Sequence, residues 1–404
     1  MPIFKYRGRD LEGKEILGSI DATSEKAVAS VLSNQRIIPV EIVETDNESS
    51  GFSFSFNKHR VTIDEQVMLC RQLNSLLKAG VPTVQAINGL ALSSANPALS
   101  DSLFKVEQAL EMGTPLANAL KQQPKVYGPL FVAMIHVGEN TGRLDEAFQK
   151  LASYLELERS TRKKVKQATR YPKMVVGAIT AAMVVINIVV VPQFAQLFAK
   201  FGSELPLPTK ILMATSDLFV NWWWAMLLVI GGAAFAFIQY LDTIEGRLKW
   251  DEQLMKMPII GPIFEKITLG RFSRTFAMTY KAGLPILQSL TVVSRAVSNS
   301  YVEKAIMSMR SGIERGDSFT RTSTAAGLFS PLVLQMINVG EQTGSLDSLL
   351  DEVADFYEQE VDYDLSKLSE AIQPILLVFM GGMVLMLALG VFLPMWDMFA
   401  LIQK

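Results

Sequence analysis

Two groups of residues in this chain have types and spacing that could do chemistry. The first is Gly8-Arg9-Asp10-Leu11-Glu12-Gly13-Lys14-Glu15, which follows the start of a phosphate-binding loop but puts Glu15 where Ser or Thr must meet magnesium. Asp10 and Glu12 would face the phosphates, and no strand feeds the segment into a following helix, so an ordinary hairpin turn is expected. The second is Val137-Gly138-Glu139-Asn140-Thr141-Gly142-Arg143-Leu144-Asp145. Its structural reading is a helix–loop–helix: Gly138 and Gly142 suit a helix end and tight reversal, Thr141 caps the next helix, and Asp145 lies in that helix's first turn. The alternative is that Glu139 and Asp145, both hard oxygen ligands, bind a divalent cation with carbonyls and waters, although calcium takes about 6 to 8 oxygens and only two carboxylates are in view.

No nucleophile–base arrangement can be assembled from two histidines and one cysteine. His59 falls at the end of a polar stretch. His136 sits among Met134, Ile135 and Val137 near a helix end, where a capping or packing role is expected. No catalytic residue and no cofactor-binding residue is therefore assigned.

The second group recurs as Val339-Gly340-Glu341-Gln342-Thr343-Gly344-Ser345-Leu346-Asp347. Upstream of it, Arg71, Lys78, Ala79, Gly80, Pro82, Gln85, Glu111 and Gly113 match Arg274, Lys281, Ala282, Gly283, Pro285, Gln288, Glu314 and Gly316 at one constant offset. After a one-residue deletion, Pro172 and Pro192 match Pro374 and Pro394. Gly and Pro each carry a backbone role that a packed fold must reproduce, so their joint recurrence marks an internal repeat.

Each copy reads as all helix. Thr62-Ile63-Asp64-Glu65 has the form of a capping box opening a helix with Val67, Met68, Leu73, Leu76 and Leu77 on its apolar face. Gly80 ends that helix and Pro82 restarts the chain. Asn96-Pro97, Thr114-Pro115, Gly128-Pro129 and Ser330-Pro331 each read as a cap followed by proline at the first helical position. About six helices per copy follow. The last begins at Leu144 and runs toward a junction at Pro172, where proline is tolerated.

Of 404 residues 49% are hydrophobic, and the excess is concentrated. Asp, Glu, Lys and Arg are absent from Met174 to Ala199, Leu218 to Leu241 and Ala371 to Trp396, each long enough for a bilayer span. Arg159, Arg162, Lys163, Lys164, Lys166, Arg170 and Lys173 precede the first stretch, against Lys200 and Lys210 after it, which puts the N-terminus in the cytoplasm. Three spans then carry the C-terminus to the outer side of the membrane. The spans hold no ionisable residue, which argues against a pump or channel. Asn187 suits helix–helix hydrogen bonding, with Gly231, Gly232, Gly381, Gly382 and Gly390 permitting close helix approach. Trp222, Trp223 and Trp224 suit an aromatic belt.

A net charge of −2 gives no clustered basic face for nucleic acid. Cys70 alone excludes an internal disulfide, and the segment from Met1 to Arg7 lacks the apolar core of a cleavable signal peptide. The fold class expected is mainly α: two homologous cytoplasmic six-helix bundle domains, three transmembrane helices and a small N-terminal α+β module. The boundaries run 1–45 for that module, with strands at Phe4–Tyr6, Ile16–Ile20 and Pro39–Val43. A linker with Phe52, Phe54 and Phe56 covers 46–60 and the first helical repeat 61–171. Spans follow at 172–196 and 218–241, then the second repeat at 264–373 and a third span at 374–397.

The paired Lys-Ala-Gly-x-Pro and Val-Gly-Glu-x-Thr-Gly-x-Leu-Asp motifs, each followed by a span, resemble the type II secretion F or PilC family of inner-membrane platform proteins. The pattern around Tyr6, Gly13, Gly18, Ala22 and Pro39 is similar as well. Within the family the chain looks more like pilus-biogenesis members, those of mannose-sensitive haemagglutinin pili among them. The resemblance implies a non-enzymatic protein of the bacterial inner membrane with no cofactor. Its implied partners are a cytoplasmic hexameric assembly ATPase, pilins or pseudopilins, other inner-membrane assembly proteins, the bilayer and further copies of itself. It also implies that Gly80, Pro82, Gly138, Glu139, Thr141, Gly142, Gly283, Pro285, Gly340, Glu341, Thr343 and Gly344 are structural or interaction positions. Two rival classes are a membrane transporter subunit, which flux in vesicles would support, and an enzyme using Gly8 to Lys14, which nucleotide hydrolysis would support.

One sequence difference between the copies carries a further expectation. Arg162-Lys163-Lys164-Val165-Lys166 aligns with Asp364-Leu365-Ser366-Lys367-Leu368, with Glu358, Glu360, Asp362 and Glu370 nearby. Either the basic and acidic helices attract each other, Arg162 and Lys164 opposite Asp362 and Asp364, or the basic run only anchors the first span to anionic lipid.

Overall fold

The computed structural model describes residues 3–9, 15–21, 28, 32, 38–45, 60–190, 214, 217, 221–258 and 260–402. The chain divides into two compact units, Met1–His59 and Arg60–Lys404. In the first, β1 (Ile3–Arg9), β2 (Glu15–Asp21) and β3 (Ile38–Thr45) form an antiparallel sheet in the order β2-β1-β3, with a register shift opposite Arg7 and Gly8 that leaves Val40 of β3 as the extra residue. Val28 and Leu32, four residues apart and helical, are fully buried. The linker phenylalanines lie outside the described residues, as do Pro192 and the segment 191–213.

The second unit contains both repeats. The first consists of α1 (Ile63–Lys78), α2 (Thr83–Ser93), α3 (Pro97–Glu111), α4 (Leu116–Lys121), α5 (Pro129–Thr141) and α6 (Leu144–Val185). The second consists of α9 (Gly261–Lys281), α10 (Ile286–Ala296), α11 (Ser300–Glu314), α12 (Phe319–Ala326), α13 (Pro331–Thr343) and α14 (Leu346–Ile402). Between them stand α7 (Trp223–Asp242) and α8 (Ile244–Lys256).

Local chemistry accounts for the helix ends. Thr62 accepts from the Glu65 amide at 3.3 Å while the Glu65 carboxylate accepts from the Thr62 amide at 2.7 Å, two orphan donors satisfied reciprocally. Asn96 and Ser330 cap α3 and α13 with proline at the first helical position, and Gly128 precedes Pro129 in the same way. The pair Thr114-Pro115 departs from this pattern: Pro115 itself takes the cap position and makes no side-chain bond. Gly80 and Gly283 turn the chain at φ 83° and 98°, a conformation open to glycine without steric cost, and Pro82 and Pro285 then take the extended cap positions of α2 and α10.

The repeats bury equivalent cores. In each, the first helix packs along the last, α1 on α6 and α9 on α14. Leu73, Ile87, Leu103, Met134, Ile135 and Phe148 lie at the first core's centre, and Phe272, Phe276, Leu290, Ile306, Val333 and Val353 at the second's. A third, smaller cluster joins Val165 and Ala168 of α6 to Ile263 of α9 and to Val361, Leu365 and Leu368 of α14, so the two copies share apolar surface along their longest helices.

Pro172 is not a junction. It lies inside α6, which runs unbroken for 42 residues and continues as a π turn over Ile186–Val190. The missing N–H of Pro172 removes one backbone bond, and the turns on either side hold the helix. Pro374 likewise lies inside the 57-residue α14, so the expected domain boundaries at 171/172 and 373/374 fall within continuous helices. Among the described residues α7, with 20 residues and no buried side chain, is the one helix long and apolar enough to cross a membrane by length and composition.

Candidate functional site

The repeated glutamate closes a helix. Helix α4 starts without a side-chain cap, leaving its first amides as orphan donors in partly buried surroundings. The Glu139 carboxylate reaches back from α5 and accepts from the Leu116 amide at 2.6 Å and the Ala117 amide at 3.2 Å. In the second copy Glu341 accepts from the Phe319 and Thr320 amides at 2.6 and 2.8 Å, and Ser318 adds a bond from Arg321 at 3.1 Å. Burial raises the Glu341 carboxyl, but hydrogen bonding from Thr320 and from the Phe319 amide outweighs it and holds the group below its ordinary range. Both oxygens of Glu139 are thus engaged by backbone donors. Asp145 sits in the first turn of α6, on the far side of the reversal, and among the described residues no three His, Cys, Asp or Glu side chains gather as a metal site.

The rest of the motif differs in part from its expected roles. Gly142 and Gly344 do end their helices, at φ 71° and 70°. Gly138 and Gly340 lie one turn earlier, within α5 and α13. A Cβ at Gly138 would stand 2.6 Å from the Ala147 Cβ, so this glycine admits α6 against α5. Thr141 and Thr343 do not cap the next helix: each hydroxyl donates back into its own, to the Val137 and Val339 carbonyls at 2.8 and 2.9 Å. The cap position of α6 falls to Arg143.

The other candidates for chemistry are accounted for by local structure. Arg9 of β1 pairs with Glu15 of β2 across a hairpin, where a phosphate loop would run from a strand into a helix. The His136 ring Nε2 lies 3.1 Å from the Asn140 amide nitrogen within α5. Cys70 is fully buried, and burial pushes its thiol up to about 12.

Among the described residues, charged side chains gather where α6, α9 and α14 meet. Arg71 of α1 meets Glu156 of α6 at 2.5 Å, and the equivalent pair in the second copy is Arg274 with Glu358, at 2.9 and 3.1 Å. Arg274 also holds Asp351 and Asp355. Burial opposes the Arg274 charge, yet bonds to Asp355 and Glu358 outweigh it and raise its affinity for the proton. Glu358 is raised in turn, chiefly by burial and further by Asp355 and Asp351 against the Arg274 charge, because three carboxylates share one guanidinium. Arg271 grips Glu158 of α6 through two nitrogens at 2.8 to 3.2 Å, both side chains being less than a fifth exposed. Lys266 bridges Glu360 and Asp364 at 2.9 and 2.7 Å. Lys164 reaches the Asp362 carboxylate at 2.6 and 2.7 Å.

The basic and acidic helices therefore do meet, through Lys164 and Asp362. Arg162 and Asp364 are spent elsewhere, on Glu158 one turn away and on Lys266. The residues that carry most of this seam, Glu158, Lys266, Arg271 and Arg274, were not singled out from sequence as a group. The available signal was the column Asp351, Asp355, Glu358, Asp362, one face of a helix by its spacing, opposite Gln149, Ser153, Glu156 and Ser160 in the first copy.

A sequence profile of the type II secretion system (T2SS), protein F matches residues 69–192 and again 272–394, and one of the protein F N-terminal domain matches residues 1–43. The chain is 32% identical to the type IV pilus assembly protein PilC of Myxococcus xanthus, over 99% of this chain and 96% of that one. It is 33% identical to PilC of Thermus thermophilus over 98% of both chains. The type II secretion system protein F of Vibrio cholerae is 28% identical over the full length of both.

Proposed function

We propose, from the premise that the chain belongs to the type II secretion system protein F family, that it is the inner-membrane platform of a type IV pilus machine, coupling a cytoplasmic hexameric assembly ATPase to the extraction and polymerisation of pilins. The same role in a type II secretion machine would act on pseudopilins. The observation that carries this is mechanical. In each repeat the last helix leaves the bundle without a break, about 60 Å of α6 and about 85 Å of α14 at 1.5 Å per residue. A helix that is continuous from bundle to bilayer transmits displacement that a flexible joint would absorb. The seam of Arg271–Glu158 and Lys164–Asp362 ties the two helices together, so a push on either repeat reaches both.

In this proposal spans at 172–196, 218–241 and 374–397 put both repeats in the cytoplasm and the C-terminus in the periplasm. The exposed apolar surface of α7 and of the later parts of α6 and α14, for example Leu228, Val229, Met174 and Val378, suits lipid contact. Further copies and other inner-membrane assembly proteins complete the platform, and the chain performs no catalysis of its own. Deletion should abolish surface fibres while prepilin and ATPase stay at normal levels; wild-type fibre numbers without it would end the proposal. A phosphatase reporter placed in Gly202 to Pro208 should be active and one after Lys256 inactive. Activity at both would remove the three-span topology.

A further inference from the structure

A cavity of about 730 Å3 lies between the repeats, walled by α4 and α5 of the first and α10 of the second. Its apolar surface comes from Pro129, Val132, Leu284 and Val292, and its hydrogen-bonding groups from Asn118, Gln288 and Thr291. Its charged and titratable groups are Lys121, His136 and Arg295, and among the described residues no carboxylate lines it. This is unlike the α6–α9–α14 seam, where Lys164, Lys266, Arg271 and Arg274 all stand on carboxylates. Lys121 and Arg295 each occupy the last turn of a helix, where the dipole favours a cation. That explains each cation alone but not their convergence from two repeats on one concavity with no acid among its lining residues.

We infer that this cavity binds a phosphorylated, partly apolar small molecule of nucleotide size. The volume falls within the roughly 300 to 1,000 Å3 of small-molecule pockets, and an apolar wall with a few convergent polar groups is their usual composition. Arg295 offers a planar fork and Lys121 a point charge, the two ways in which side chains hold phosphate. Asn118, Gln288 and Thr291 supply both donors and acceptors for a heterocycle's edge. Because its walls come from both repeats, a bound ligand holds them in one arrangement and stabilises it by mass action. This site is distinct from the hairpin at Gly8 to Lys14 and independent of the platform role, since it is measured on the isolated protein.

The test is calorimetric titration of the full-length protein in lipid nanodiscs with ATP, ADP, adenosine and inorganic phosphate. Lys121→Glu, Arg295→Glu and, as a reversal outside the cavity, Lys304→Glu are compared with the parent. ATP and ADP should bind more tightly than adenosine or phosphate, and each cavity reversal should weaken them about tenfold or more while Lys304→Glu leaves them unchanged. Absence of nucleotide binding at millimolar concentration, or equal weakening by all three reversals, would overturn the assignment. So would loss of an acidic protein partner from Lys121→Glu and Arg295→Glu when the parent retains that partner but binds no nucleotide. Every variant is checked for native helix content, and a variant that misfolds is replaced by Lys121→Gln or Arg295→Gln with the same expected direction.

Discussion

Glu139 holds the start of α4 through two amide bonds, and removing it should release that helix more than removing Glu341 releases α12. Hydrogen bonds to a charged group contribute about 1.5 to 3 kcal/mol each, less where water can replace the lost acceptor. The Leu116 and Ala117 amides are part-buried, so Glu139→Ala should lower the local opening free energy by about 2 to 3 kcal/mol, or roughly 30- to 150-fold in exchange rate. Ser318 still binds the Arg321 amide when Glu341 is removed, so Glu341→Ala should accelerate α12 by no more than about tenfold. Hydrogen–deuterium exchange with mass spectrometry, on peptides covering 114–122 and 318–327 of the full-length protein, reads both. The Glu341 carboxyl is held below its ordinary value of 4.5 in the fold, so its contribution is fully present above that value and is lost as pH falls through the lower folded one. Protection of α12 should therefore fall off only below about pH 4.5. Equal, small effects from both alanine variants would refute the capping account, as would protection that declines already between pH 7 and 5.

Three further outcomes follow from geometry. A charge swap, Lys164→Glu with Asp362→Lys, should restore pilus assembly lost in Lys164→Glu alone, yet a double-mutant cycle should find a coupling of only about 0.2 to 1 kcal/mol because both side chains are 47% exposed. Assembly no better in the swap than in the single variant would count against the pairing. Gly138→Ala should cost about 1 to 3 kcal/mol by thermal unfolding, and Gly340→Ala less, since the nearest atoms there stand 3.2 Å away instead of 2.6 Å; the reverse order would contradict the close approach of α5 and α6. Cys70 should resist maleimide at pH 8 in the folded protein and react after denaturation, because its buried thiol sits near 12; rapid labelling of native protein would contradict that burial.

What could be read from sequence was whatever depends on neighbours a few residues away. The Thr62–Glu65 box, the caps at Asn96 and Ser330 and the turns at Gly80 and Gly283 are all local, and the repeat itself follows from matched glycines and prolines. The role of Glu139 was not legible, because its partners stand 22 and 23 residues upstream and meet it only after α4 has folded back on α5. A carboxylate beside a glycine pair looks the same whether it awaits a cation or a pair of amides. Thr141 differs for a related reason: hydroxyls near a helix end can bond forward or back, and here the hydroxyl donates back to the Val137 carbonyl. Pro172 reads as a junction because proline removes one backbone bond, but the turns on either side carry the helix straight through it. The meeting of basic and acidic helices was legible from how the copies diverge, whereas the choice of Lys164 over Arg162 depended on Glu158 lying one turn away.

The unequal charge of the two copies bears on why they share one chain. Arg71 faces a single glutamate where its counterpart Arg274 faces three carboxylates, and the acids at Asp351, Asp355 and Asp362 replace Gln149, Ser153 and Ser160. Lys164 aligns with Ser366 and Asp362 with Ser160, so a copy paired with a duplicate of itself would set Lys164 or Asp362 against a serine and lose that ion pair. Joined covalently, each copy is present once per molecule, so each can supply one half of Lys164–Asp362 and one half of Arg271–Glu158. The cross-repeat contact then has one permitted mate and one orientation. The seam is thereby satisfied inside one chain, as a fixed internal joint between its two repeats.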